Sequence, residues 1–427
     1  MDLNLPEELL AYLDELDEFI EREIRPLEEA DDNIRFFDHR REDARTDWDR
    51  GGLPSHEWEE LLGEARRRAD AAGHYRYAFP KEYGGRDGSN LGMAVIREHL
   101  ASKGLGLHCD LQNEHAIVGN NVGLLLMLEY GTDEQKAEWV DSLAAGKRGF
   151  AFGITEPEHG SDATHMETHA VRDGAGPNAD WLITGAKTWN TGIHTAKYDL
   201  IFARTSGEPG DGRGITAFLT PTDAPGFTVE EFLWTFNMPT DHGRISLDQV
   251  RVPHSAILGG EGRGLQVVQH FFNENRIRQA ASSLGAARYC IAESIAFAKQ
   301  RKPFGKALAT NQAIQFPLVN LHAEAEMLQA LIHRTAWLMD TEGPFSQSEQ
   351  VSICNYRGNR LCCDAADQAM QVHGGMGYSR HKPFEHIYRH HRRYRITEGS
   401  DEIQQRRVAG YLFGFMSQRA PKGVTEK

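Results

Sequence analysis

Positive charge, thiols and long apolar runs are all scarce in this chain of 427 residues. Asp and Glu outnumber Lys and Arg by 62 to 47, a net charge of −15. General nucleic-acid binding needs a basic face, so this balance argues against it. A local basic pocket for an anionic ligand stays open. The five cysteines, Cys109, Cys290, Cys354, Cys362 and Cys363, are odd in number and form no C-x-x-C pair. Neither a disulfide framework nor a zinc site is indicated, and a reducing compartment fits. No run of about 18 apolar residues occurs, so no membrane span is expected. The start, Met1-Asp2-Leu3-Asn4, lacks a basic and then apolar leader; no export signal is expected, and a cytoplasmic location fits.

Several signatures of chemistry are missing too. Gly260-x-Gly262-x-Gly264 and Gly210-x-Gly212-x-Gly214 do not have the G-x-G-x-x-G spacing, and no P-loop Lys follows, so they read as turns. No G-x-S-x-G elbow marks a serine hydrolase. His386 and His390 have the i, i+4 spacing of metal ligands, but no acidic ligand is spaced with them, so no metal is expected.

What is present is a globular composition, 40% hydrophobic and 26% charged, with length for two or three core-bearing units. Leu9, Leu13, Leu16 and Ile20 form one helical stripe. Residues Asp31 to Pro54 break it and read as an exposed excursion ending at Gly51-Gly52. Helices are expected from Glu57 to Ala72, Met93 to Ser102 and Ala116 to Glu129. Pro80-Lys81-Glu82-Tyr83-Gly84-Gly85 must turn. Val122–Leu128 is apolar almost all round and should be buried.

Near Phe150 the period changes. Trp181–Thr184, Leu200–Ala203, Ile215–Leu219 and Val250–Val252 are short β-rich runs between Gly, Pro, Asn and Asp clusters. They predict an all-β unit of about 110 residues, a sandwich or barrel. After Gly264 long amphipathic helices return, with stripes at Leu284, Ala287, Ile291 and Ile295 and at Leu318, Leu321, Ala325, Leu328 and Ile332. Further helices are expected over Gln347–His373, Lys382–Tyr394 and Ser400–Met416, an antiparallel bundle. The fold is therefore mainly α with a central β domain: a helical domain over 1–150, a β domain over 151–262 and a helical bundle over 263–427.

Near the C-terminus, Glu398 stands alone between an Arg-rich run and a turn. Ser400 is a good N-cap, with Asp401 and Glu402 in the first helical turn. Glu398 should hang on the preceding loop, as a general base or as an ordinary surface acid. The run Arg389–Arg395 is either a solvated face or an attractor of anions. Thr155-Glu156-Pro157 with Gly160-Ser161-Asp162 gathers hydroxyls and free amides at the opening of the β unit. Lys187-Thr188-Trp189-Asn190-Thr191 puts an aromatic and a hydroxyl on one strand face.

Together these segments resemble the acyl-CoA dehydrogenases, over about Pro80 to Gly410. Pro80–Gly85 is similar to the family's P-x-x-Y-G-G turn, and Thr155–Asp162 to its T-E-P-x-x-G-S-D signature. Trp189 with Thr191 is similar to its W-x-T pair. Arg301, Phe304, Gly305 and Gln312 match its R-x-x-F-G pattern and following Gln. Gln371 with Gly374, Gly375 and Gly377 matches Q-x-x-G-G-x-G, and Glu398-Gly399-Ser400 its E-G-T/S.

The resemblance implies an N-terminal helical domain, a middle β domain and a C-terminal four-helix bundle, with FAD held between the β domain and the bundle. It implies flavin contacts from Thr155, Ser161, Trp189 and Thr191. Arg301, Phe304, Gln312, Gln371, Gly374 and Gly375 would hold a neighbouring subunit's FAD, and Ser400 and Glu402 also fall at the cofactor. Ser161, Asn273, Arg276 and Gly399 would face the substrate. Glu398 would remove the α-proton of an acyl-CoA thioester while the β-hydride passes to the flavin, giving the trans-2-enoyl-CoA. Its backbone N–H would serve the thioester oxygen. The implied partners are an electron-transfer flavoprotein and further copies of the chain, as a homodimer or homotetramer. A flavin oxidase or monooxygenase on the same fold is the alternative, and a DNA-binding relative a more distant one. Some members place the base on the helix near Asn273–Arg276; the equivalent here, Asn275, cannot be a base. Asn273, Thr397 and His390 replace residues common in the family.

Overall fold

The computed structural model describes residues 4–110, 115–119, 121–146 and 149–416. In chain order the main helices are α1 (Glu7–Phe19), α2 (His56–Ala71), α3 (Asn90–Ser102), α4 (Val122–Tyr130) and α5 (Asp133–Ala144). The strands follow: β1 (Ala151–Gly153), β2 (His169–Asp173), β3 (Asp180–Thr191), β4 (Tyr198–Arg204), β5 (Ile215–Pro221), β6 (Phe227–Phe232), β7 (His242–Val252) and β8 (Ile257–Leu258). Then come α6 (Gly264–Gln300), α7 (Gln312–Glu342), α8 (Ser348–His373), α9 (Phe384–Tyr394) and α10 (Asp401–Leu412). The helical, β, helical order read from periodicity is what the chain forms.

By compactness the chain divides into a helical unit (Met1–Ala44, His56–Gly119, Phe272–Lys427) and a β unit (Arg45–Ser55, Asn120–Phe271). In the helical unit, Leu16, Phe19 and Ile24 meet Trp58, Ile96, Leu284, Ile332 and Val351 in one buried cluster. The stripes of α6 and α7 supply much of it, as a 3.6-residue period requires. The Pro80–Gly85 turn closes because Gly84 adopts φ 79°. At Gly85 a Cβ would stand 2.0 Å from the Phe79 carbonyl oxygen.

In the β unit one sheet runs β6-β7-β3-β2-β4-β5-β8, with β1 parallel to β4 at the side. Trp181, Ile183, Ile201, Phe218, Ile245 and Val250 fill its core. Helices α4 and α5 belong to this unit. A capping box of Thr132 and Gln135 starts α5, and the Gln135 amide also donates to the carbonyls of Ser255 and Ile257, both at 2.8 Å.

Three expectations change. The helix expected from Ala116 starts only at Val122, because Ala116 pairs with Cys109 in a short ladder and Asn121 turns left-handed at φ 50°. The excursion Asp31–Pro54 is not simply exposed. Phe36 is buried against Trp58, and Leu53 is buried in a ladder pairing Leu53–Pro54 with Thr46–Asp47. The Trp234 indole N–H donates to the Gly51 carbonyl at 2.7 Å, which fastens the tip of that ladder within the β unit. The run Arg389–Arg395 is two-faced rather than solvated. His390, His391 and Tyr394 point inward and are buried, and His391 Nδ1 lies 2.8 Å from Ser283 Oγ.

All five cysteines are unbridged thiols, and all are buried. Burial pushes the Cys363 thiol up to about 11 and that of Cys354 to about 12. Among the described residues, no helix is long and apolar enough to cross a membrane.

The buried histidines give the fold an acid limit. Burial, with Arg25 nearby, holds His108 down to about 3; burial and Arg393 do the same for His391. Burial lowers His74 to about 4. Unfolded histidine titrates near 6.5, so below that pH the unfolded chain binds protons that the fold refuses. Stability is therefore full above about pH 6.5 and is lost as pH falls, down to about 4 for His74 and about 3 for His108 and His391. Each of these residues contributes up to about 1.4 kcal/mol per pH unit. Chemical denaturation at pH 7.5 and 5.5 measures the slope. Replacing His391 by Gln should flatten it, and an unchanged slope would refute the assignment.

Candidate active site

Two groups of residues stand out, one in each unit. In the helical unit Glu398 lies on the loop joining α9 to α10, at φ 56°. A non-glycine residue in this left-handed region costs roughly 1–2 kcal/mol and persists only where its surroundings fix it. Arg276 of α6 does the fixing. Its Nε donates to the Glu398 carbonyl at 3.0 Å, and a second guanidinium N–H reaches the same oxygen. Gln404 donates to the carbonyls of Glu398 and Gly399 at 3.2 and 3.0 Å. Gly399 has φ 99°, and a Cβ there would lie 3.3 Å from the Arg276 guanidinium.

The Glu398 carboxylate is held separately. Gln279 Nε2 donates to Oε1 at 3.0 Å, and Asn275 Nδ2 donates to the same oxygen. Asn275 and Gln279 are one helical turn apart, on one face of α6. Asn355 of α8 fixes Gln279 in turn, with Nδ2 3.1 Å from Oε1. Neutral amides orient the carboxylate without pairing away its charge, which suits a proton acceptor. Burial first, and the charge of Arg407 second, lower the Arg276 pKa, although Glu398 opposes both. A guanidinium still stays protonated at neutral pH.

Ser400 caps α10 as expected, its Oγ accepting from Ile403 N. The next residue, Asp401, is buried and pairs with Arg360 at 2.8 Å and Arg395 at 2.9 Å. Glu402 is exposed at the start of the same helix. The Asn273 amide is buried and donates to Pro344 O and Ser348 Oγ, both at 3.2 Å, which ties α6 to the start of α8. His390 is buried, with Nε2 3.0 Å from the Tyr394 hydroxyl, whereas Thr397 is exposed. Arg301, Phe304, Gln312, Gln371, Gly374 and Gly375 are all on the surface of this unit. Phe304 is fully exposed, at 105% and φ 52°. Nothing lies within 4 Å of a Cβ placed on Gly374 or Gly375, so that backbone is open to close approach. The ends of α6 and α8 that carry these residues are joined by the stacked rings of Phe297 and His373, 4.3 Å apart.

In the β unit the residues form a face on β3. The β3–β7 register slips between Gly243 and Arg244, which leaves Trp189 as the extra residue of a bulge at φ 65°. The indole is turned outward and is 49% exposed. Thr188 N donates to the Thr155 carbonyl at 2.9 Å, so Thr155 sits beside Trp189. Thr191 follows on the same exposed face, while Ser161 lies exposed in the Gly-Ser-Asp turn.

Buried polar pairs support this face from below. Lys187 Nζ lies 2.8 Å from Glu156 Oε1, and the same carboxylate accepts from Glu167 N at 2.6 Å and Thr168 N at 2.9 Å. Burial lowers Lys187 to about 8, with Glu156 opposing the shift. Burial raises Glu156, but Lys187 and the hydrogen bonds outweigh it, so its pKa falls below the usual value. Asn190 donates to Asp199 beneath Trp189, and burial raises that acid to about 7.

Sequence reasoning missed Gln279, Gln404, Asn355, Asp199, Asp241 and His242. Gln279 carried a signal, the i, i+4 spacing from Asn275. His242 had none, because placing it opposite Thr191 requires the strand register.

Domain profiles of one family cover most of the chain. Acyl-CoA dehydrogenase, N-terminal domain, matches residues 34–147; the middle domain matches 151–250; the C-terminal domain matches 262–412. The chain belongs to the acyl-CoA dehydrogenase family. An acyl-CoA dehydrogenase of Bacillus subtilis is 32% identical over 78% of this chain and 86% of its own length. The mitochondrial short-chain specific acyl-CoA dehydrogenase of Bos taurus is 32% identical over 76% of this chain and 77% of its own. Among solved structures, glutaryl-coenzyme A dehydrogenase in its glutaryl-CoA complex superposes with a TM-score of 0.78 at 27% identity, covering 98% of each chain. An acyl-CoA dehydrogenase is an oxidoreductase of CH–CH bonds, and this chain has the family's three domains.

The buried pair yields a test. Lys187→Met leaves the Glu156 carboxylate buried without its cation and should cost about 3–5 kcal/mol. Lys187→Met with Glu156→Gln should recover part of that in chemical denaturation. A Lys187→Met protein within about 1 kcal/mol of wild type would show that the pair carries little weight.

Proposed function

We propose that this dehydrogenase removes the α-proton of an acyl-CoA thioester with Glu398 and forms the trans-2-enoyl-CoA. The observation that carries the reading is the Glu398 carboxylate, oriented by two neutral amides on a backbone gripped by Arg276. A base must be held within hydrogen-bond reach of its proton in a fixed direction, and this nest fixes the direction. The Glu398 backbone N–H is the proposed donor to the thioester oxygen, where charge develops as the α-proton leaves. Arg276 and Gly399 set that backbone, and Asn273 steadies α6 from behind.

The exposed indole of Trp189, with Thr155 beside it and the Thr191 hydroxyl next along, fits a planar heteroaromatic group with hydrogen-bonding edges. We assign that face to FAD, which when bound supplies the hydride acceptor. Thr155 and Thr191 orient it, Trp189 packs on it, and the Ser161 turn borders it. Arg301, Phe304, Gln312, Gln371, Gly374 and Gly375 are assigned to the adenosine diphosphate half of a second subunit's FAD, with Ser400 and Glu402 at the same cofactor. Their common exposure, and the open backbone at Gly374 and Gly375, support that role. The active assembly is then at least a dimer. Family membership favours an electron-transfer flavoprotein as the acceptor.

Glu398→Gln keeps the shape and the amide contacts and removes the basic oxygen. It should retain FAD and acyl-CoA binding and lose turnover by roughly 10²–10⁴-fold. Steady-state dye reduction with a panel of acyl-CoA thioesters makes the measurement, and turnover near wild type would exclude Glu398 as the base.

A further inference from the structure

On the exposed face of β3, Thr191 Oγ1 lies 3.1 Å from His242 Nδ1, and the two residues are register partners across β3 and β7. The same Nδ1 lies 3.1 Å from Asp241 Oδ1. A carboxylate can only accept a hydrogen bond. A negative charge this close to Nδ1 favours the form of the ring with a proton there. Thr191 Oγ1 must then be an acceptor toward His242. Its own O–H is turned elsewhere. Gly192 N donates to the Asp241 carbonyl at 3.0 Å, which keeps the two strands in step at this point. The Trp189 and His242 rings meet edge-on, 6.1 Å apart at 72°, so the imidazole also walls one side of the indole.

We propose that Asp241 and His242 are a positioning pair that commits the Thr191 hydroxyl to donate outward, to an acceptor atom on the edge of a planar ligand lying against Trp189. The ligand is the flavin, so this inference rests on the cofactor reading above. Neither residue touches the reacting atoms. Asp241 sets the imidazole proton, the imidazole proton sets the hydroxyl, and the hydroxyl sets the ligand.

Two measurements test the pair. The first needs no cofactor. In flavin-free protein labelled with [15N]histidine, and with His242 assigned by difference from His242→Leu, Nδ1 should carry a proton in the wild type. In Asp241→Asn the population should move toward the ring form protonated only on Nε2. A bare Nδ1 in the wild type overturns the inference. The second is FAD affinity, read by fluorescence titration. Thr191→Val, His242→Leu and Asp241→Asn should each weaken binding about five-fold, the weight of one hydrogen bond. The Thr191→Val/His242→Leu double variant should be no weaker than either single variant, because all act through one hydroxyl. His242→Asn, which can present an amide N–H, should restore binding. Multiplying losses in the double variant, or wild-type affinity in His242→Leu when Thr191→Val is weakened, would overturn the pair. No FAD uptake by the wild type would instead sink the cofactor reading, with the [15N]histidine result still deciding the pair.

Discussion

The grip of a buried guanidinium on one carbonyl oxygen organises the C-terminal half of this protein. Arg276 is almost wholly out of solvent, and it uses its charge on the backbone of Glu398 rather than on a carboxylate. A charge so placed is tolerable only where its hydrogen bonds are short and fixed. That condition holds the loop before α10 in a left-handed turn that a glutamate does not adopt by preference. Since Arg276 belongs to a helix of 37 residues that is part of the helical unit from Phe272 onward, the turn is tied to a long element of that unit's core. The β unit uses the same device by other means. Trp189 is also left-handed, and beneath it lie a buried lysine and a buried amide–acid pair. In both places strain at a left-handed residue is matched by buried polar groups packed behind it.

How much of this could be read in the chain follows from how local each signal is. The order of helical and β segments was legible because periodicity is a local property. So was the N-cap at Ser400, which depends on a few neighbouring residues. Strands β2, β6 and β8 were not, since His169–Asp173 and Phe227–Phe232 show too few apolar residues at alternate positions and Ile257–Leu258 is only two residues long. The ladder inside the Asp31–Pro54 segment was equally hidden; its partner is a tryptophan far along the chain. Glu398, Trp189 and Thr191 could be singled out from motifs. Their supports could not, because Gln279, Asn355 and His242 acquire their meaning from packing and strand register.

Asn275 shows the difference well. As a residue in a string it is an amide where a base could have stood, and its message is negative. In the fold it is one of two amides that aim the Glu398 carboxylate. A second acid at that position would have repelled Glu398 and raised the cost of keeping both ionised. An amide instead gives the single carboxylate one orientation. The identity of the base and that of its neighbour are thus one choice.

The burial of all five thiols carries a practical consequence. Thiolate is the reactive form, and these groups are both shielded from solvent and, at Cys354 and Cys363, held well above neutral pH. The native surface is therefore silent toward maleimides and mild oxidants. One cysteine introduced at an exposed position would be chemically unique, so spectroscopic labels could be placed at either unit without first stripping the chain of its own sulfur.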